Sequence, residues 1–214
     1  DRQVSTRLKQ DSADLSLDAL ALVNDKSSLE NYSLGYANRF KTKKTHYLTI
    51  ARKAIVNSSL DTYKSAKGNK SQVKKALTKL MTAPLAGATQ SEKLELQKNR
   101  LKMASDMRDL KEIDSAALAI LLNKKASSND IEMAKSKRLF VAESELRFVS
   151  ALKIAKTMKF NDLDKASRDL KLGILSELAG RNPSLHYKNY IKNVRSRRAA
   201  NVIRLEMIRR ASNP

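Results

Sequence analysis

"SEKLELQKNRLKMASDMRDLKEIDSAALAILLNK", residues 91–124, decides the fold. Its apolar residues Met103, Met107, Leu110, Ile113, Ala117, Ile120 and Leu121 recur at three- and four-residue steps, the spacing that builds one face of an α-helix. No glycine or proline interrupts the stretch. Unbroken, it would be a rod about 50 Å long at about 1.5 Å per residue.

The same spacing extends in both directions. "APLAGA", 83–88, holds a proline and a glycine and reads as a hinge over 83–90. "SSND", 127–130, predicts a cap and a helix running to about Lys159, and Asn161 and Asp162 predict the start of another, carrying Leu163, Ala166, Leu170, Ile174 and Leu178 as far as Gly180. "RNP" predicts Asn182 as a cap with Pro183 in the first turn of a last helix reaching Arg210. Upstream, a helix is expected over 12–25 with Leu15, Ala19, Leu22 and Val23 on one side, and a second opening at Ser27 or Ser28. A longer one is expected from Thr42 to Lys67, and after the break "KGNK" a short one capped by Ser71. No segment alternates β-branched residues, and five glycines and three prolines supply too little turn chemistry for many strands. The expectation is an all-α, multi-helix bundle of long antiparallel helices without a β-sheet. Its regions are an N-terminal part (1–82), the hinge, a helical hairpin with a third helix packed on it (91–180), and a basic C-terminal helix (181–214).

At 214 residues, with 41% hydrophobic and 30% charged side chains, the chain is long enough to bury a core and too apolar for a disordered polymer. The net charge of +21 is unevenly placed. Residues 1–36 net −2, 37–82 net +11, 83–180 net +4 and 181–214 net +8, so two segments hold nearly all of it. A field of this strength attracts polyanions and keeps copies of the chain apart.

Those two segments also interleave cations with aromatic rings. Lys41, Lys43, Lys44, Arg52 and Lys53 stand among Phe40, Tyr47 and Tyr63, while Lys188 and Lys192 flank Tyr187 and Tyr190. This composition suits phosphate contact together with stacking on unpaired bases, although the helical spacing of Tyr47, Tyr187 and Tyr190 places them on buried stripes. "NVRSRRAANVIRLEMIRR", 193–210, adds six arginines against one acid. Its periodicity predicts a helix docked through Val194, Val202, Leu205 and Ile208. Arg195, Arg197 and Arg204 then fall on exposed shoulders and Arg198 at the stripe's edge. The candidate nucleic-acid-binding set is therefore Lys41, Lys43, Lys44, Arg52, Lys53, Lys188, Lys192, Arg195, Arg197 and Arg204.

Enzymatic chemistry finds no foothold in the residues. There is no cysteine, and His46 and His186 are the only histidines, which removes thiolate chemistry and histidine-rich metal clusters. "KGNKS", 67–71, lacks the first glycine and the preceding strand of a phosphate-binding loop. Carboxylate pairs such as Glu143 and Glu145 or Asp162 and Asp164 are two residues apart and point to different helix faces. Sequons at Asn31, Asn57 and Asn69 have no secretion signal beside them. The longest apolar run, "AALAILL" at 116–122, is too short for a bilayer. The first residues lack a signal peptide's apolar stretch, and a start at Asp1 is expected of a trimmed or processed chain.

The expected function is that of a non-enzymatic binding or structural protein of a virion or the cytoplasm. It contacts nucleic acid without sequence preference inside a larger assembly of proteins, and takes no cofactor, metal or small-molecule substrate. An internal or head-associated protein of a phage virion has this character, and a ribosome-associated protein would carry the same charge. The alternative is a protein-interaction module, a scaffold or secreted effector, that offers "LDALALV" (17–23) or the Met103–Leu121 seam to a partner helix. A third reading is peripheral binding to an anionic membrane through the last helix.

Overall fold

The computed structural model describes residues 2–160 and 163–212, with side chains over 5–160 and 163–209. Helices make up 80% of the protein and no strand occurs among the described residues, so the all-α expectation holds. The chain divides into two units, Asp1–Lys125 and Ala126–Pro214.

The first unit contains α1 (Arg2–Leu22), α2 (Lys26–Arg39), α3 (Lys44–Ser65), α4 (Lys70–Met81), α5 (Gln90–Met107) and α6 (Leu110–Leu121), with a 3-10 turn at Lys41–Lys43 before α3. Each helix packs chiefly on the next in sequence. One core knits Ala13 and Leu17 of α1 to Ala37, Phe40 and Tyr47, with Leu29, Tyr36 and Leu48 around it. The buried side of α1 is thus Ala13 and Leu17, while Leu15, Leu22 and Val23, expected to share an inward face with Ala19, are exposed. The aromatic rings draw the helix inward at a different phase from the one leucine spacing suggests.

The second unit contains α7 (Ser128–Ser144), α8 (Phe148–Lys156), α9 (Lys165–Leu178), α10 (Ser184–Asn193) and α11 (Arg197–Ser212). Again the substantial packing joins consecutive helices. Its core comprises Leu139, Ala142, Ala151, Leu152, Ala155, Met158, Phe160, Leu172 and Leu175. The expected cap at Asn161 and Asp162 lies outside the described residues, and Asp164 caps α9 by accepting from the Ser167 amide at 2.6 Å.

Three helices expected to run unbroken are split. The 91–124 stretch stops at Arg108, which adopts the left-handed conformation (φ 58°), and Asp109 caps the next helix at once. The Asp109 amide donates to the Ala104 carbonyl at 3.0 Å, closing the helix end. Leu146 (φ 56°) ends α7 in the same way, with the Arg147 amide on the Ala142 carbonyl at 2.8 Å. The last helix breaks at Val194, whose extended backbone separates α10 from α11. Asn182 accepts from the Ser184 amide at 2.9 Å, but it stands one position before the N-cap, which is Pro183, so the helix begins at Ser184 and not at the proline. In α4 the cap is Asn69, which accepts from the Ser71 and Gln72 amides, so Ser71 is helical rather than capping.

The expected hinge is the α4–α5 connection, and it is strapped down. Arg52 of α3 donates to the Pro84 carbonyl at 2.9 Å and the Ala86 carbonyl at 3.4 Å. Gly87, at φ +68°, approaches Thr45 so closely that a Cβ there would sit 2.4 Å from Thr45 Cγ2.

Candidate nucleic-acid interface

Both units are strongly basic. The first has 24 Lys and Arg against 13 Asp and Glu, and the second 19 against 9, giving +11 and +10. Much of the acid is engaged internally. Asp14 pairs with Lys43, Asp61 with Lys26, Glu30 with Lys79, Glu92 with Arg52, Glu112 with Arg100 and Glu143 with Lys171. Asp25, Asp109, Asp130 and Asp164 accept from backbone amides at helix starts. The cations left at the surface therefore have few acids to quench their field.

In the first unit Lys41, Lys44 and Lys53 are exposed and carry no ion pair among the described residues. Lys43 is half-buried and bound to Asp14 at 2.5 Å. Burial pulls the Asp14 carboxyl upward, but the hydrogen bond and charge of Lys43, with the Tyr47 hydroxyl nearby, outweigh it and hold the group below its ordinary value. Arg52 is corrected outright: its side chain is 4% exposed, and its guanidinium contacts both Glu92 oxygens at 3.2 Å in addition to the two loop carbonyls. An arginine so enclosed cannot reach a phosphate. It is a structural cation that fastens α3 to the start of α5.

In the second unit Lys188 and Lys192 are exposed on α10, Arg195 is exposed in the break, and Arg197 and Arg204 are exposed on α11. Arg204 donates to Asn201 one turn away at 2.9 Å, and Asp164, held below its ordinary value chiefly by hydrogen bonds from Ser167, is lowered a little further by the charge of Arg195. The docking of α11 differs from the expectation. Val202, Leu205 and Ile208 are 59%, 66% and 62% exposed, and Ala200 with half-buried Ile203 and Met207 faces inward instead. The Val194 break resets the phase, so a stripe counted continuously from Tyr187 points the wrong way after residue 197. Arg198 is consequently exposed and not at a buried edge.

The rings near the cations are not available to bases. Phe40, Tyr47, Tyr187 and Tyr190 are buried. Tyr187 donates to Glu177 at 2.8 Å, and Tyr63, under Lys102, donates to Asp106. Burial and Asp106 push the Tyr63 hydroxyl up to about 12, and burial with Asp14 does the same to Tyr47, so both stay neutral. What the surface offers a polyanion is charge.

Five further exposed lysines, Lys64, Lys67, Lys70, Lys74 and Lys75, gather where α3 turns into α4. Counting lysines through "KGNK" could have found them, since that turn forces two helix ends together. Among the described residues no group of histidines and carboxylates could hold a metal, and no helix is long and apolar enough to cross a membrane. No family model, curated protein or solved structure matches the chain.

Proposed function

We propose that the protein binds nucleic acid through its exposed cations, by phosphate contact and without reading sequence, as a non-catalytic component of a larger assembly such as a virion interior. The observation that supports this most is the separation of roles among the charges. Acids are engaged in caps and internal pairs while Lys41, Lys44, Lys53, Lys188, Lys192, Arg195 and Arg197 face solvent unpaired among the described residues. Phosphates supply the missing counter-charge, and counterion release drives binding. With the rings buried or, like Tyr63, engaged by Lys102 and Asp106, duplex and single strands are held by backbone charge, and stacking contributes little.

The test is fluorescence anisotropy with labelled duplexes of unrelated sequence between 50 and 200 mM salt. About six neutralised phosphates give a slope near −5 in log affinity against log salt, equal for every sequence. Affinity that hardly changes with salt would refute the reading.

A second reading has its own observation. Val202, Leu205 and Ile208 stand exposed between arginines on α11, and Leu163, Leu170, Ile174 and Leu178 line an apolar groove of about 450 Å³ beside Phe148. Such faces suit a protein neighbour in the assembly, and in a protein-interaction module they would carry most of the affinity.

A further inference from the structure

A second cleft in the same unit has different chemistry. It measures about 530 Å³ and lies between the end of α8 and the α9–α10 turn. Lys153 and Lys156, from the last turn of α8, and Arg181, just after Gly180, line it, and none of the three has an ion pair among the described residues. The opening turn of α10 contributes His186 to the wall, and its amide dipoles add positive potential at that end. Ser176, only 2% exposed, also lines the cleft.

Burial holds the His186 imidazole below its ordinary value. Asp169 pulls the other way and Lys156 adds to the lowering, so the ring is neutral at neutral pH and able to donate or accept one hydrogen bond. One wall is apolar, made by Val149, Leu152 and Leu185. Three cations, a helix start and an apolar wall fit an anion that carries an organic body better than a bare ion.

From this geometry we propose that the cleft binds the phosphate of a nucleotide, with Lys153, Lys156 and Arg181 on the phosphate and the sugar and base along Leu152 and Leu185. The site goes beyond the polymer-binding surface proposed above and stands or falls separately from it. The phosphate could come from a free mononucleotide or from the end of a strand, and the two sources are distinguishable.

The experiment is an NMR titration of the full chain, observing the ring protons of His186, with exposed His46 as internal reference. Adenosine monophosphate should shift His186 saturably and leave His46 in place, while adenosine should shift neither. Lys156→Gln with Arg181→Gln should weaken that binding by about tenfold or more, since each removes a charge-assisted hydrogen bond. Lys124→Gln with Lys125→Gln, which removes the same charge from an exposed position in the other unit, should leave it unchanged. A 5′-phosphorylated trinucleotide binding tighter than the mononucleotide identifies a strand end, and weaker binding identifies a free nucleotide. The proposal is overturned if His186 does not move, if it moves in parallel with His46, or if the double variant with native circular dichroism binds as the parent does. Polymer binding measured by anisotropy is a separate readout, so loss of one leaves the other interpretable.

Discussion

Arg52 and Lys53 are neighbours in the chain with opposite fates, and exchanging each for glutamine separates structure from binding. Arg52→Gln removes a guanidinium that contacts Glu92 and two loop carbonyls while being 4% exposed. Breaking a fully buried pair from one side costs about 3–5 kcal/mol. Glu92 is 31% exposed and keeps the Thr89 amide and hydroxyl, so the lower end applies, about 3 kcal/mol. For a unit of 125 residues, at about 4 °C per kcal/mol, Tm falls by roughly 10 °C. Lys53→Gln, at an exposed position, should stay within about 0.5 kcal/mol of the parent. Scanning calorimetry reads the first effect, and the salt slope of nucleic-acid binding reads the second. The slope should drop by about one unit for Lys53→Gln and by none for folded Arg52→Gln. An Arg52→Gln protein that melts within 2 °C of the parent and loses a unit of salt slope refutes the assignment of Arg52 as a structural cation.

Other expectations follow from the same structure. Arg195→Gln, Arg197→Gln and Arg204→Gln together should leave melting nearly unchanged and reduce the salt slope by up to about three units. Val202→Ser with Leu205→Ser should also leave stability within about 0.5 kcal/mol per site, because both side chains are exposed; a large drop in Tm would mean α11 is docked through them. Leu146→Gly should raise stability by up to about 1 kcal/mol in denaturant unfolding, since glycine takes φ 56° without strain and the leucine is 71% exposed. Gly173→Ala should cost about 1–3 kcal/mol, because its Cβ would meet Tyr187 Cε1 at 2.4 Å, which outweighs alanine's better helix propensity. Acid should weaken the first unit. The Thr89 amide first, and Arg52 after it, hold Glu92 below its ordinary value, so that stabilisation is present above the unfolded carboxyl's pKa and is lost as pH falls through the folded one. Melting followed from pH 7 to pH 3 should show this loss, and Arg52→Gln should diminish it.

The fold class was legible because three- and four-residue spacing survives any detail of packing. Helix starts were legible where polar caps mark them, at Ser127 on the residue and elsewhere a few residues off, since Thr89 caps where Ser91 is expected and Asp164 where Asn161 or Asp162 is. Helix ends were invisible where a leucine or arginine takes the left-handed conformation that usually belongs to glycine. Arg108 and Leu146 look like helix interior in one dimension. That blindness had a consequence for the candidate site: an unnoticed break at Val194 shifts every later position on α11 around its axis. The exposed lysines were legible from charge density alone. Burial of Arg52 was not, because its partners Pro84, Ala86 and Glu92 lie more than 30 residues ahead. The cleft of Lys153, Lys156 and Arg181 leaves no mark in the sequence, since only the approach of three helices brings those residues together.

The pairing of each helix with its successor has a bearing on how the chain is made. When partners are adjacent in sequence, each loop to be closed is short and folding needs no distant segment. On a ribosome, α2 can dock on α1 while later helices are still being polymerised, and the first unit can close before the second is complete. Such a nascent chain carries its +11 into a space crowded with RNA at the moment when its apolar surface is least covered. Early local docking of Ala13, Leu17, Phe40 and Tyr47 would keep that interval short. Permuting the helix order while keeping every packed pair would preserve the final core and lengthen the vulnerable interval. Yield of soluble protein during synthesis, more than its melting temperature, is where such a rearrangement would register.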